Sequence, residues 1–172
     1  AKVRLIPSTL PDLLKTTGVI RHEVRRYATT RPEQKIETAA AHLALARTAG
    51  TDLECCNSIQ ALEGFVRGEE IWGTLDERRR LEQLDHMIDL TEELYPRFRW
   101  FLYDGRQRYA AAVTVFGLDR AVLYLGQMYL VVTAQEHVLA FVHQFDDLVT
   151  AAVVQPPDVS RLLRRLRAEL AA

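Results

Sequence analysis

The sequence predicts an α/β domain, with α+β as the alternative, on three observations. Apolar spacing alternates along the chain between a helical period and a strand period. Three capping-box signatures, Thr30 to Glu33, Thr74 to Glu77 and Thr133 to Glu136, each precede a helical pattern. Short apolar runs split by Gly117-Leu118-Asp119 and Gly126-Gln127 mark closely spaced strands. The expected architecture is N-terminal helices, a mixed sheet of about five strands containing an antiparallel meander, and helices packed on it.

Taken in order, Ile6-Pro7-Ser8-Thr9 leads into a short helical segment over 10–15 that stops at Gly18. A second helix over 19–27 carries Ile20, Val24 and Tyr27 on one face, with Arg21, Arg25 and Arg26 largely away from it. Thr30 caps a helix reaching Ala49, and Gly50 ends it. Residues 53–59 read as a strand. Gly64, Gly68 and Gly73 then punctuate an irregular loop. Leu81, Leu84, Ile88 and Leu94 give a helix over 75–94, which Pro96 prevents from continuing. Phe98 to Tyr103 alternates as a strand with both faces partly apolar, ending at Asp104-Gly105. Residues 112–116, 121–125 and 128–132 form the meander. A helix to about Ala152 has an apolar face of Val138, Phe141, Val142, Phe145 and Leu148, and a last one from Asp158 carries Val159, Leu162, Leu163, Leu166 and Leu170. That leucine stripe is the candidate dimerisation surface.

With 172 residues, 48% hydrophobic and 26% charged, the chain is expected to bury about 70% of its unfolded surface in one domain, residues 1–172. Within it, 1–50 reads as a helical segment and 51–172 as the α/β core. The apolar runs, such as 110–116 and 121–125, fall far short of a membrane span, so no membrane partner is expected. Adjacent Cys55 and Cys56 imply no disulfide framework, which suits a reducing cytoplasm; one is expected in the core and the other facing outward. Charge is sorted: residues 1–50 carry nine basic against four acidic side chains and residues 51–96 four against twelve. Such blocks steer anionic partners or simply solvate helix faces.

Catalytic patterns are missing from the sequence. No lysine follows a glycine, so a phosphate loop is excluded, and five scattered histidines with an adjacent cysteine pair lack zinc-site spacing. His143 and Asp147 share a helical face, a relay geometry that also serves as a surface hydrogen bond. No Gly-x-Ser-x-Gly elbow occurs. The chain is therefore expected to be no enzyme, with no cofactor and no metal. The basic helix pair around Thr16-Thr17-Gly18 resembles a helix-turn-helix only superficially, since its first helix is short and a supporting third is missing.

Aromatic and polar side chains crowd the sheet and its loops. Trp72, Trp100, Tyr103, Tyr109, Tyr124 and Tyr129 are candidate ligand-binding residues, on the reading that one sheet face packs helices and the other lines a pocket. Arg67, Glu70 and Arg106, with Asp104, would stand at its mouth. Plain core filling explains the same aromatics.

The strand-helix-strand-meander order is similar to half of a phospholipase-D-like fold. That chemistry uses His-x-Lys, and here the residues two after each histidine are Val24, Ala44, Ile88, Leu139 and Phe145. A scaffold of that kind would be inactive in this chain.

A second likeness covers nearly the whole chain. It rests on Ile6-Pro7-Ser8-Thr9-Leu10-Pro11-Asp12-Leu13-Leu14-Lys15-Thr16, the strand around Cys55 and the helix over 75–94 with Gln83-Leu84. Val113-Thr114-Val115-Phe116, Val122-Leu123-Tyr124 and the closing Phe145-Asp146-Asp147-Leu148 with Ala151-Ala152 complete it. These resemble the C-terminal, non-DNA-binding region of bacterial XRE-type helix-turn-helix transcriptional regulators. The resemblance implies a cytoplasmic regulatory domain, excised from a longer regulator, that senses a small-molecule effector and forms a homodimer. DNA would be reached only through a helix-turn-helix absent from this chain, and no catalytic residue carries over. The alternative is a non-catalytic protein-interaction scaffold, such as an anti-activator or an immunity-type partner.

Overall fold

The computed structural model describes residues 2–26 and 31–172, and its first element is a strand that the sequence reading passed over. Lys2–Ile6 (β1) alternates Val3 and Leu5 on one face with Arg4 and Ile6 on the other. It lies between β2 (Asp52–Ser58), which it pairs in parallel, and β4 (Val113–Phe116), which it pairs antiparallel. β3 (Phe98–Tyr103) runs parallel to β2, while β4, β5 (Arg120–Tyr124) and β6 (Tyr129–Val132) form the expected meander. The sheet is mixed, with six strands rather than about five, in the order β3-β2-β1-β4-β5-β6. The chain is thus α/β, and the stretch 1–50 is not purely helical, because it supplies β1.

Helices cover both faces. A 3-10 turn at Asp12–Leu14 is followed by α1 (Thr17–Val24) and α2 (Pro32–Arg47). The second helix, expected to run to Tyr27, ends earlier, at Val24 with Arg25 as its C-cap, and the expected Thr30 cap lies outside the described residues. Residues 59–67, expected to be a strand end and loop, instead form α3 (Ile59–Arg67). Ser58 caps it by accepting from Ala61 N at 3.1 Å, and Leu62, Phe65 and Val66 are buried. Gly64 sits inside this helix. Gly68 ends it at φ 69°, a conformation that only glycine adopts without strain.

The segment to Thr74 is a 3-10 turn, and α4 (Glu77–Leu94) is capped by Asp76, which accepts from Arg79 N at 2.8 Å, rather than by Thr74. α5 (Gln135–Thr150) starts after Ala134, which offers no side-chain cap, so Thr133 does not cap it. α6 (Pro156–Ala171) closes the chain.

Strand alternation sends neighbouring side chains into two cores. Leu53, Cys55, Phe98, Trp100 and Leu102 pack beneath α1, α3, α4 and α6. Cys56, Phe101, Tyr103, Val115 and Ala121 pack beneath α5, against Val138, Val142, Phe145 and Leu148. Two expectations are corrected by this. Cys55 and Cys56 are both buried, because each face has its own helix layer. The leucine stripe of α6 is not an outer surface: Val159, Leu162, Leu163 and Leu166 belong to the first core, beside Leu84 and Met87. Ion pairs from Arg164 to Glu92 at 2.6 Å and from Arg167 to Asp85 rim that packing.

Candidate functional site

The carboxyl ends of β1, β2, β3 and β5 lie at one end of the sheet, the position where open α/β sheets commonly place a ligand. A groove of about 500 Å³ opens there. Pro7-Ser8-Thr9 leaves β1 across its base, the first turn of α3 supplies Gln60 and Ala61, and α1 supplies Glu23. The 3-10 turn carrying Glu70, Ile71 and Trp72 forms the opposite wall, with Tyr124 at the end of β5.

Polar contacts behind the groove hold its lining residues Thr9 and Glu23. Asn57, at the end of β2, donates from Nδ2 to the Thr9 carbonyl at 2.6 Å and accepts at Oδ1 from Trp100 Nε1 at 2.9 Å. Thr9 Oγ1 donates to Glu23 Oε2 at 3.1 Å, and Glu23 Oε1 is 2.8 Å from Lys15 Nζ. Lys15 also reaches Asp12 Oδ1 at 2.6 Å, and its side chain is only 7% exposed. Burial alone would lower the Lys15 pKa, but the Glu23 and Asp12 carboxylates overcome it and hold the ammonium above the ordinary lysine value. Burial would likewise raise Asp12, and the adjacent Lys15 charge reverses that and holds it low.

The turn that carries Lys15 is fixed from α4. Gln83, fully buried, accepts from Thr16 N at 2.7 Å and donates to Leu14 O at 2.7 Å. The opposite wall is fixed as firmly. Arg80 donates to Val66 O at 2.6 Å and Leu75 O at 3.2 Å, bracketing the 68–75 segment. His22 Nε2 meets Ile71 O at 2.6 Å, which requires the proton on that nitrogen, and its ring stacks 5.9 Å from Trp72. Phe65 meets Trp72 edge-on at 5.0 Å. Glu70 is the one non-glycine with positive φ among the described residues, at 51°, a strained conformation held by these neighbours.

Of the sequence-derived candidates, Glu70, Trp72 and Tyr124 meet in this groove. Trp100 and Tyr103 are buried in the two opposite cores, so the second sheet face, covered by α5, is no pocket wall. Arg67 is exposed and paired with Glu63 at 3.1 Å. Arg106 pairs with Asp104 at 3.1 Å, and bonds from the Arg106 side chain and backbone hold that carboxyl down at about 2. Gln60 donates to the same Asp104 at 2.7 Å and accepts from Gly105 N at 2.8 Å, tying β3 to α3. Tyr109 is 85% exposed, and Tyr129 stands at the sheet edge, where its hydroxyl accepts from Lys35 at 2.9 Å.

Ser8, Thr9, Glu23, Gln60 and Glu69 line the groove and were missed by the sequence reading. Recognising β1 was the signal that would have found the first two, because residues just past a parallel strand face the ligand end. Among the described residues no three of His, Cys, Asp and Glu gather to hold a metal, and no helix is long and apolar enough to cross a membrane. Burial raises both cysteine pKa values, which keeps them as thiols. Compared with protein-family models, curated proteins and solved structures, the chain matches none.

Proposed function

We propose that this chain is a non-catalytic sensing and dimerising domain, of the kind the sequence resemblance attaches to bacterial helix-turn-helix regulators, and that its groove takes a small effector. The groove at the carboxyl end of the sheet carries this reading: about 500 Å³ is the size of a small-molecule site, and rigid elements hold its walls. Its chemistry indicates the class. Glu69 and Glu70 stand there with Arg26, Glu23 being already paired to Lys15 and the Gln60 amide to Asp104 and Gly105, while Ser8 and Thr9 offer hydroxyl groups. Trp72 and Tyr124 add aromatic edges. A small amine bearing hydroxyls or a flat ring suits this lining.

The test is thermal unfolding in the presence of polyamines, amino sugars, nucleosides and dicarboxylates, with native mass spectrometry of the freshly purified chain. An amine present at 100 times its dissociation constant stabilises the fold by about 2.7 kcal/mol. Glu70→Gln should weaken that shift while leaving the unliganded melting point within about 1 kcal/mol. If no class raises the melting point and no retained mass appears, the sensing reading fails.

A further inference from the structure

The two edges of the sheet are treated differently. At β3 the edge is occupied: Leu102 N donates to Val154 O at 3.1 Å, and Val153 N donates to Leu102 O at 2.8 Å. At the other end, among the described residues, the β6 backbone pairs with β5 alone. Leu125 N donates to Met128 O at 2.9 Å, which sets the alternation of the hairpin. Leu130 and Val132 therefore turn their backbone groups toward β5, while Tyr129 and Val131 turn theirs outward.

Open edges are normally guarded by charge or proline. Here the fifteen residues from Ala121 to Gln135 include no Asp, Glu, Lys, Arg or Pro. Leu125, Met128, Tyr129, Leu130 and Val131 are each between 47% and 57% exposed, half of the ten large apolar side chains exposed among the described residues. Contiguous apolar patches of a few hundred Å² mark interaction surfaces.

We propose that β6 pairs antiparallel with β6 of a second copy, about a two-fold axis beside Leu130, joining the two sheets into one of twelve strands. The proposal rests on the dimerising part of the reading above and names its interface.

The register favours a second copy as the occupant. The two outward-facing residues, Tyr129 and Val131, flank Leu130 symmetrically, so an identical strand run backwards sets Tyr129 against Val131 at both positions as hydrogen-bonded pairs. Leu130 then faces its own copy in the closer, non-hydrogen-bonded pair. The strand itself is uncharged, so pairing with its copy sets no strand charges against each other, and the Lys35 ammonium beside it is taken up by the Tyr129 hydroxyl and ring. Two such patches bury together on the order of 1,000 Å², the scale at which a specific interface begins. The groove lies one ring away: Tyr124 lines it, and Tyr124 and Tyr129 meet at 5.4 Å beneath Lys35. An effector that moves Tyr124 acts directly on the paired edge, and a ligand biases a dimer only through such a differential contact.

Sedimentation equilibrium and oxidative cross-linking of the full chain test this. The wild type should dimerise, and Val131→Asp should weaken the dimer by roughly tenfold or more with the monomer still folded. Leu130→Cys should oxidise to a covalent dimer, because facing non-hydrogen-bonded Cα atoms about 4.5 Å apart lie within disulfide reach. Glu169→Cys on α6 should not cross-link, and buried Cys55 and Cys56 stay silent. A dimer that Val131→Asp leaves intact, with no cross-link at Leu130→Cys, overturns the β6 interface and leaves the dimerising reading standing. A monomer at every concentration overturns both. Neither result touches the effector groove.

Discussion

Asn57 and Thr9 join the ends of β2 and β1: the Asn57 amide holds the Thr9 carbonyl at 2.6 Å while its own oxygen accepts from Trp100 Nε1 at 2.9 Å. One buried side chain thereby satisfies the indole of the first core and fixes the loop that floors the groove.

Asn57→Ala should strand both partners. A buried donor or acceptor left unpaired costs about 1–3 kcal/mol, so about 2–6 kcal/mol is expected for the pair, read as a fall in melting temperature of roughly 4–24 °C. Because Thr9 also holds Glu23, the variant should lose effector stabilisation as well as fold stability. Unchanged melting would show that water replaces the amide at both atoms.

The Lys15 cluster makes stability depend on pH at both extremes. Asp12 is held below its ordinary value of 3.8, so its contribution is intact above about 3.8 and is lost as pH falls through the lowered value. Lys15 is held above its ordinary 10.5, so its contribution is intact below about 10.5 and is lost as pH rises through the raised value. Lys15→Met leaves the Glu23 carboxylate partly buried without its cation, and a loss of about 3 kcal/mol is expected at neutral pH. Urea unfolding between pH 9 and 12 should show a shallower alkaline decline in the variant than in the wild type.

Leu163, fully buried on α6, separates a core helix from a dimer helix. Leu163→Ala should destabilise the fold by about 2–5 kcal/mol through the cavity it leaves. The sedimentation profile under native conditions should not change. A stable but dissociated Leu163→Ala protein would return the dimer interface to α6.

The helices that read clearly from sequence are those whose apolar period is long and uninterrupted. α4 and α5 lie where their leucine, valine and phenylalanine spacing places them, and the meander follows from its glycine turns, with Gly126 at φ 85° as its hairpin requires. β1 was illegible because five residues beginning Lys-Val-Arg carry too little pattern to stand out. Its strand character comes from having a partner on each side. α3 was hidden by Gly64, which reads as a break yet is carried inside a helix whose Leu62, Phe65 and Val66 are buried. Capping boxes located helix starts to within a few residues, but Asp76, nearer the first turn, displaced Thr74.

Composition, periodicity and turn chemistry by themselves determined that this is an α/β chain with a meander, where the long helices α2, α4, α5 and α6 fall, and that familiar catalytic motifs are missing, because those properties are local and repeat over a few residues. Tertiary structure alone decided that β1 sits inside the sheet, that α5 closes the second face, that α6 is core, and that Thr9, Glu23, Gln60 and Trp72 meet in one groove while β6, among the described residues, pairs with β5 alone. Those outcomes depend on contacts between residues tens of positions apart, and the energy of such contacts comes from burial and pairing that no short window of sequence contains.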